Sequence, residues 1–218
     1  MRRGRALLEA VVLGLLMLGP AWGQGQTVGL VVGDQALTAS GLTPGQPVVW
    51  FGVEYRVDAE FSGDLTQRYE VGTAAADGTA HLDLPQSPAP RSYWMAVDLA
   101  TGAYALTAPQ SYRITKAPAI SALVRAAGAQ PDVLADNRQY LMGLLVRPGI
   151  GAWSFGAGDG GPLDQDGKSD GHLNIALDRL DPLPGSPAAP PRAAANDLWL
   201  IVDPLTMQVT VLKGGVAQ

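Results

Sequence analysis

Four aspartates within twelve residues are the side chains whose type and spacing most suggest chemistry: Asp159, Asp164, Asp166 and Asp170. Glycines stand between them, and glycine permits the sharp bends by which neighbouring side chains of a loop can turn toward one centre. Hard cations such as Ca²⁺ take roughly six to eight oxygen ligands from carboxylates, carbonyls and water. The segment 158–172 therefore predicts a structural calcium site with all four carboxylates as candidate ligands.

A second interpretation of this segment is a solvated acidic turn. Aspartates in turns commonly accept hydrogen bonds from their own backbone two residues further along the chain. His172 directly follows the segment and could join Asp166 or Asp170 at a transition metal, although an exposed histidine is the commoner case. The residues leave the choice between an ion site and a plain loop open. If calcium binds, we expect it to stiffen the loop rather than to take part in a reaction.

The stretch from Asp164 to Asp170, DQDGKSD, resembles the D-x-D-G-x-x-D core of thrombospondin type 3 and dockerin-like calcium loops. The resemblance covers seven residues and implies calcium as the ligand. Alignment with an EF-hand-like loop puts Pro162 at the first ligand position and Leu173 at the closing bidentate position, and neither has a ligating side chain. A complete site would therefore need Asp159 or a backbone carbonyl.

Two tryptophans suggest a different kind of site. Apolar residues alternate over 48–58 and 93–99, and a period of two predicts strands. Trp50 and Trp94 fall on the face opposite the apolar stripe of their strands. Two rings on an outer sheet face could stack against a sugar or a peptide, which makes a carbohydrate-binding module an alternative function. The other interpretation is that the second half of the chain covers this face.

Several common catalytic motifs do not occur in the sequence. It contains no cysteine, no H-E-x-x-H pair and no phosphate-binding loop. The paired carboxylates of a glycosidase can lie far apart in a chain, so a small secreted hydrolase that uses acidic residues stays as a further alternative. Our expectation is that the protein is not an enzyme.

The elements that must position these residues are predicted to be strands. Alternating segments flank the turn pairs Asp77-Gly78 and Thr101-Gly102, which favour hairpins. Residues 27–116 therefore predict an antiparallel immunoglobulin-like β-sandwich. The turn Leu42-Thr43-Pro44-Gly45, which leads into a strand, resembles the L-x-P-G turn of immunoglobulin-like and fibronectin type III-like modules. This resemblance implies the same fold class and no particular function.

Residues 117–213 are predicted to form a second β-rich part. The helical spacing of apolar residues from Ile120 to Val124 predicts one short helix, which ends near Gly128. The Asp/Gly loop (158–172) and a Pro/Ala-rich loop (182–195) belong to this part. The expected fold class is therefore all-β, with an immunoglobulin-like β-sandwich followed by a second β-rich part that carries one short helix.

The first 23 residues have the order of a secretory signal peptide. Three arginines at positions 2, 3 and 5 precede an apolar run over 10–19, and Ala21-Trp22-Gly23 forms a small-x-small cleavage site. The apolar run is shorter than the roughly 20 residues that a transmembrane helix needs. We therefore expect a secreted or periplasmic protein, with an uncleaved membrane anchor as the alternative.

The charge of the chain limits its partners. The formal net charge is −5, and without residues 1–23 it becomes −7 because 12 basic and 19 acidic residues remain. This charge argues against nucleic acid and anionic membranes as partners. No apolar stretch of the remaining chain is long enough to span a bilayer. We expect a non-enzymatic binding or structural module of a bacterial envelope, whose partner is a protein or a glycan of that envelope.

Overall fold

The computed structural model describes residues 27–57, 63–89, 91–107, 122–123, 132–134, 140–203, 208–213 and 216–217. Their regular secondary structure is almost entirely β, which confirms the predicted all-β fold class. The predicted signal peptide, residues 1–23, lies outside them. Within the described ranges, no helix is long and apolar enough to cross a bilayer.

Sixteen strands are described, and each pairs with its neighbours in antiparallel fashion. In chain order the strands are β1 Gly29–Val32, β2 Ala36–Ser40, β3 Pro47–Val57, β4 Gly63–Thr73, β5 Ala80–Asp83, β6 Arg91–Asp98, β7 Tyr104–Thr107, β8 Ala122–Leu123, β9 Asp132–Leu134, β10 Tyr140–Arg147, β11 Gly151–Gly158, β12 His172–Asn174, β13 Asp181–Pro182, β14 Leu198–Asp203, β15 Gln208–Lys213 and β16 Val216–Ala217. A short 3₁₀ turn, Leu177–Arg179, stands between β12 and β13.

The strands form three main sheets and one small sheet. The N-terminal sheet has the order β1-β2-β5, the middle sheet β4-β3-β6-β7, and the large sheet β13-β11-β10-β14-β15-β16. The small sheet has the order β12-β9-β8. The N-terminal and middle sheets use strands from the first half of the chain, whereas the large sheet uses strands from the second half.

The N-terminal sheet packs against one face of the middle sheet. The side chains buried between them, here called the outer core, are Val28, Leu37, Ala39, Leu42, Val48, Trp50, Ala74, Ala80, Leu84, Trp94 and Ala96. Within β3, Val48 and Trp50 face this core because alternate residues of a strand point to the same side. The first half of the chain is therefore itself a two-sheet sandwich.

The opposite face of the middle sheet packs against the large sheet. The side chains between them, the central core, are Val49, Phe51, Val53, Tyr93, Met95, Val97, Met142, Leu144, Val146, Ala152, Leu183, Leu198, Leu200, Val202 and Val209. Both faces of β3 are therefore buried, whereas its alternating sequence predicts burial of only one. The predicted parts 27–116 and 117–213 share this core and pack as neighbouring layers.

The far face of the large sheet is covered by the segment that runs from 163 to 193. The distal core formed there consists of Leu141, Leu145, Trp153, Phe155, Ala157, Leu173, Ile175, Leu177, Leu180, Trp199, Ile201 and Leu212. Leu163, Ala189 and Ala193 pack against its edge. The Asp/Gly loop and the Pro/Ala-rich loop are thus attached to the outer side of the large sheet.

The predicted short helix near Ile120 is wrong where the structure describes that segment. Ala122 and Leu123 form strand β8, with Ala122 opposite Val133 and Leu123 opposite Asp132. The helical spacing rested on three apolar residues, and pairing with a neighbouring strand overrides so weak a local preference.

The two predicted hairpins have different outcomes. Thr101-Gly102 does join a paired hairpin, because β6 and β7 are neighbours with Val97 opposite Tyr104. Asp77-Gly78 does not, because β4 pairs with β3 while β5 pairs with β2. The turn at Gly78, whose φ is 75°, therefore carries the chain from the middle sheet to the N-terminal sheet.

Candidate functional site

The Asp/Gly loop connects β11 of the large sheet to β12. Its base is closed by backbone hydrogen bonds, from Gln165 N to Asn174 O at 2.8 Å and from Ala176 N to Leu163 O at 2.8 Å. Asp164 pairs with Ile175 in an isolated antiparallel bridge. The loop is therefore a folded-over segment fixed at its base to the distal core.

Two of the four aspartates point into the loop. Asp159 is 8% exposed and Asp164 is 2% exposed. Asp164 accepts hydrogen bonds from Asn174 N (3.2 Å, Oδ1) and from Gly160 N (2.9 Å, Oδ2). Asp159 Oδ2 accepts one from Gly171 N at 2.8 Å. These two carboxylates tie the start of the loop to its end.

The other two aspartates lie on the exposed side of the loop. Asp166 Oδ1 accepts a hydrogen bond from Lys168 N (2.9 Å), and Lys168 Nζ lies 3.5 Å from Asp166 Oδ2. Asp170 Oδ1 accepts a hydrogen bond from His172 N at 3.1 Å. Each carboxylate thus caps the backbone two residues ahead, which is the local pattern expected of aspartate in turns.

The arrangement separates the four predicted ligands into a buried pair and an exposed pair. Among the described residues, no group of three or more His, Cys, Asp or Glu side chains is placed to hold a metal ion. Calcium binding by the loop stays a prediction, and any site here would draw on backbone and hydroxyl oxygens as well as carboxylates. One atom of the loop stands apart: Asp159 Oδ1 is buried and has no hydrogen-bond partner in the described part of the chain.

Trp50 and Trp94 are buried, at 1% and 2% exposure. The N-terminal sheet covers them, rather than the second half of the chain as one interpretation of the sequence had it. The ring of Trp94 packs directly on Gly52, its cross-strand neighbour. Stacking on a sugar requires an exposed ring face, so the structure contradicts the assignment of Trp50 and Trp94 as ligand-binding residues.

A buried carboxylate that the sequence analysis missed is Asp98, at the end of β6. Asp98 Oδ2 accepts hydrogen bonds from Thr43 N (3.0 Å) and Thr43 Oγ1 (2.6 Å), and its Oδ1 accepts one from Ala100 N (2.9 Å). Burial raises the pKa of Asp98, but these hydrogen bonds, with a further one from Thr101, outweigh burial and leave the pKa below its usual value. The only local feature of the sequence that could have indicated this role is that Asp98 stands immediately before a turn.

An ion pair between the partly exposed Arg147 and the buried Asp197 is a second feature that sequence reasoning missed. Arg147 Nε and Nη2 donate to the two oxygens of Asp197 at 2.7 and 2.9 Å. Arg147 Nη2 also donates to Arg192 O, and Asp197 Oδ2 also accepts from Ala194 N. The hydrogen bonds to Asp197, together with its negative charge, raise the pKa of Arg147 above its usual value. The pair anchors the end of the Pro/Ala-rich loop to the large sheet.

The Pro/Ala-rich loop is tied to the large sheet at its beginning as well. Ala152 N donates to Ser186 Oγ at 2.9 Å, and Trp153 Nε1 donates to Pro187 O at 2.9 Å. The beginning of the loop is therefore bound to β11, and its end is bound to β10 and to Asp197, which stands just before β14.

Comparisons with known proteins add no functional information. No protein-family model matches the chain, and searches of the curated proteins and of the solved structures give no significant match.

Proposed function

We propose that the protein is an exported, non-catalytic β module of a bacterial envelope, which binds a partner or stabilises an assembly through its surface. Export is supported by the order of basic residues, apolar run and small-x-small site over 1–23. A bound calcium ion that stiffens the Asp/Gly loop is part of the proposal. The carbohydrate-binding alternative loses its support because both rings on which it depended are buried.

The observation that carries the non-catalytic part is how the buried carboxylates are used. Asp98, Asp164 and Asp197 are all buried, and each accepts hydrogen bonds from backbone amides that hold a turn or a loop. A catalytic acid or base must instead reach a substrate and exchange a proton with it. These three buried acidic groups therefore stabilise connections between strands, as befits a scaffold.

The strand order of the first half supports an immunoglobulin-like module. The first, second and fifth strands form one sheet, and the fourth, third, sixth and seventh form the other. Immunoglobulin-like sandwiches likewise divide about seven strands between two packed sheets whose sequential strands cross from one to the other. Such folds present loops at the two ends of the sandwich, and we expect partner recognition there.

Co-sedimentation with isolated cell envelopes of the source organism tests the binding role. The chain without residues 1–23 is expected to bind envelopes saturably, and unlabelled chain is expected to displace labelled chain. The same chain after heat unfolding is the matched control and should lose the saturable part. Binding that is absent, or that rises linearly with added chain, would contradict the proposal.

Two further measurements test export and the absence of catalysis. Mass spectrometry of the exported chain is expected to show a new N-terminus at Gln24, whereas an intact Met1 would contradict cleavage. Incubation with envelope glycans, followed by mass analysis, is expected to leave them unchanged. Turnover of any of them would restore the hydrolase alternative.

A further inference from the structure

Three other buried carboxylates, those of Asp98, Asp164 and Asp197, have partners for both oxygens. Asp197 faces the Arg147 guanidinium with each oxygen. Asp98 accepts three hydrogen bonds, two on Oδ2 and one on Oδ1. Asp164 accepts one backbone amide on each oxygen. Hydrogen bonds or an ion pair therefore compensate the buried negative charge of each of these three residues.

Asp159 departs from that pattern. Its side chain is more than nine-tenths buried, yet Oδ1 has no hydrogen-bond partner in the described residues. A carboxylate oxygen withdrawn from water is strongly unfavourable unless a donor or a cation replaces the lost hydration. Two basic side chains of the same part of the chain have other partners, since Lys168 pairs with Asp166 at the surface and Arg179 donates to Pro162 O.

Two side-chain oxygens lie close to Gly160, the residue that follows Asp159. Asp164 Oδ2 lies 2.9 Å from the amide of Gly160. Ser169 Oγ lies so close to Gly160 that a methyl group there would collide with it. Gly160 has a φ of 72°, which only glycine adopts readily, so the backbone can make this approach. Carboxylate, hydroxyl and carbonyl oxygens are the ligands that hard cations prefer.

The geometry points to a calcium site centred on Asp159 Oδ1, on the inner side of the Asp/Gly loop, with Asp164 and Ser169 as neighbouring oxygen donors and with Asp166 and Asp170 outside it. This differs from the prediction that all four aspartates converge. The inference deepens the proposed calcium-stabilised module and rests on its export, because extracellular modules typically bind calcium at about 0.1–1 mM.

Thermal unfolding of the chain without residues 1–23 tests the site, with CaCl₂ titrated against an EDTA reference. Calcium at about one hundred times its Kd is expected to raise the Tm by about 5 °C or more. Asp159→Asn is expected to abolish this rise. In EDTA the same variant should unfold at the parent's Tm or above, because it removes a buried charge and keeps an acceptor for Gly171.

Asp170→Asn is the matched control, since it makes the same change of charge in the same loop at an exposed residue. It is expected to keep the calcium-dependent rise. A parent Tm that calcium does not move, or an equal loss in Asp159→Asn and Asp170→Asn, would overturn the inference. If Asp159→Asn does not fold, calorimetric titration of CaCl₂ into the parent and Asp170→Asn decides: one bound ion in both supports the site, and no binding refutes it.

Envelope co-sedimentation in the same buffers separates this inference from the proposed function. Retained envelope binding without any calcium response would refute the calcium site alone. A normal calcium response without envelope binding would refute the binding role alone.

Discussion

Asp98 and Thr43 are joined by two hydrogen bonds to a single oxygen. Asp98 Oδ2 accepts both the amide of Thr43, at 3.0 Å, and its hydroxyl, at 2.6 Å. The two residues are 55 positions apart, one in the turn before β3 and the other at the end of β6. Because β3 and β6 are neighbours in the middle sheet, the contact fixes the turn of residues 42–45 against the end of that sheet.

Removal of the Thr43 hydroxyl should destabilise the fold. Thr43→Val keeps the shape of the side chain and leaves a buried carboxylate with one donor fewer. Hydrogen bonds to charged groups are worth about 1.5–3 kcal/mol, so we expect a loss of that size in the free energy of unfolding by urea. The matched control is Thr79→Val, since Thr79 Oγ1 donates to the exposed Asp77 at 2.7 Å. An equal loss of unfolding free energy in both variants would contradict the view that the hydrogen bond matters more at the buried Asp98 than at the exposed Asp77.

The lowered pKa of Asp98 makes the free energy of unfolding depend on pH in the acidic range. Because the folded-state pKa lies below the unfolded value of about 3.9, Asp98 contributes stability that is fully present above that pH. The contribution is lost as pH falls below about 4 through the folded pKa. Asp98→Asn, measured by urea unfolding from pH 7 to pH 2, should be less stable than the parent at pH 7 and should lose less on acidification. Parallel curves for the two chains would argue against this role.

The ion pair between Arg147 and Asp197 should be costly to break from one side. Asp197→Ala leaves the guanidinium of Arg147, which is 14% exposed, without its carboxylate. Single removals from fully buried pairs cost about 3–5 kcal/mol, so we expect a cost near the lower end of that range. The more exposed pair of Arg68 and Glu70, 3.2 Å apart, supplies the control, since Glu70→Gln should cost less than about 1 kcal/mol. Urea unfolding of both variants measures the difference. Similar losses of unfolding free energy in the two variants would show that burial of Asp197 does not raise the cost of breaking its ion pair.

The contact between Gly52 and Trp94 should make β3 intolerant of a side chain. A Cβ at Gly52 would overlap the Trp94 ring, which the outer core holds in place, so Gly52→Ala should cost about 1–3 kcal/mol by overpacking. Gly72→Ala, on the neighbouring strand β4, is the control because the nearest atom there, Trp50 Nε1, would be 3.4 Å away. We expect the control to change stability by less than about 1 kcal/mol. Tryptophan emission should shift to longer wavelength in Gly52→Ala only.

Local patterns in the sequence predict the strands well and their partners less well. Period-two alternation indicates β3 and β6, and Thr101-Gly102 indicates the hairpin that joins β6 to β7. Asp77-Gly78 gives an equally strong local signal, but a turn does not specify whether the following strand returns to the same sheet. The outcome depends on long-range packing, here the pairing of β5 with β2.

The Asp/Gly loop illustrates the same limit at the level of single residues. Its aspartates were identified from composition, but spacing does not distinguish the buried Asp159 and Asp164 from the exposed Asp166 and Asp170. The distinction arises because Leu163 and Leu173 attach the two ends of the loop to the distal core. Asp98 and Asp197 were missed for a related reason, since their partners lie 55 and 50 residues away.

The central core has a consequence for how the chain is made. Synthesis proceeds from the N-terminus, and β3 and β6 are complete by residue 98, whereas β14, which supplies Leu198, Leu200 and Val202, begins 100 residues later. Until β14 is made, the apolar face of the middle sheet that lines the central core is covered only in part, by side chains such as Met142, Leu144 and Val146 of β10, and partly exposed faces of this kind favour aggregation. The nascent chain is therefore most prone to aggregate after β6 has been made and before β14 has been made. A holding chaperone would act during that interval.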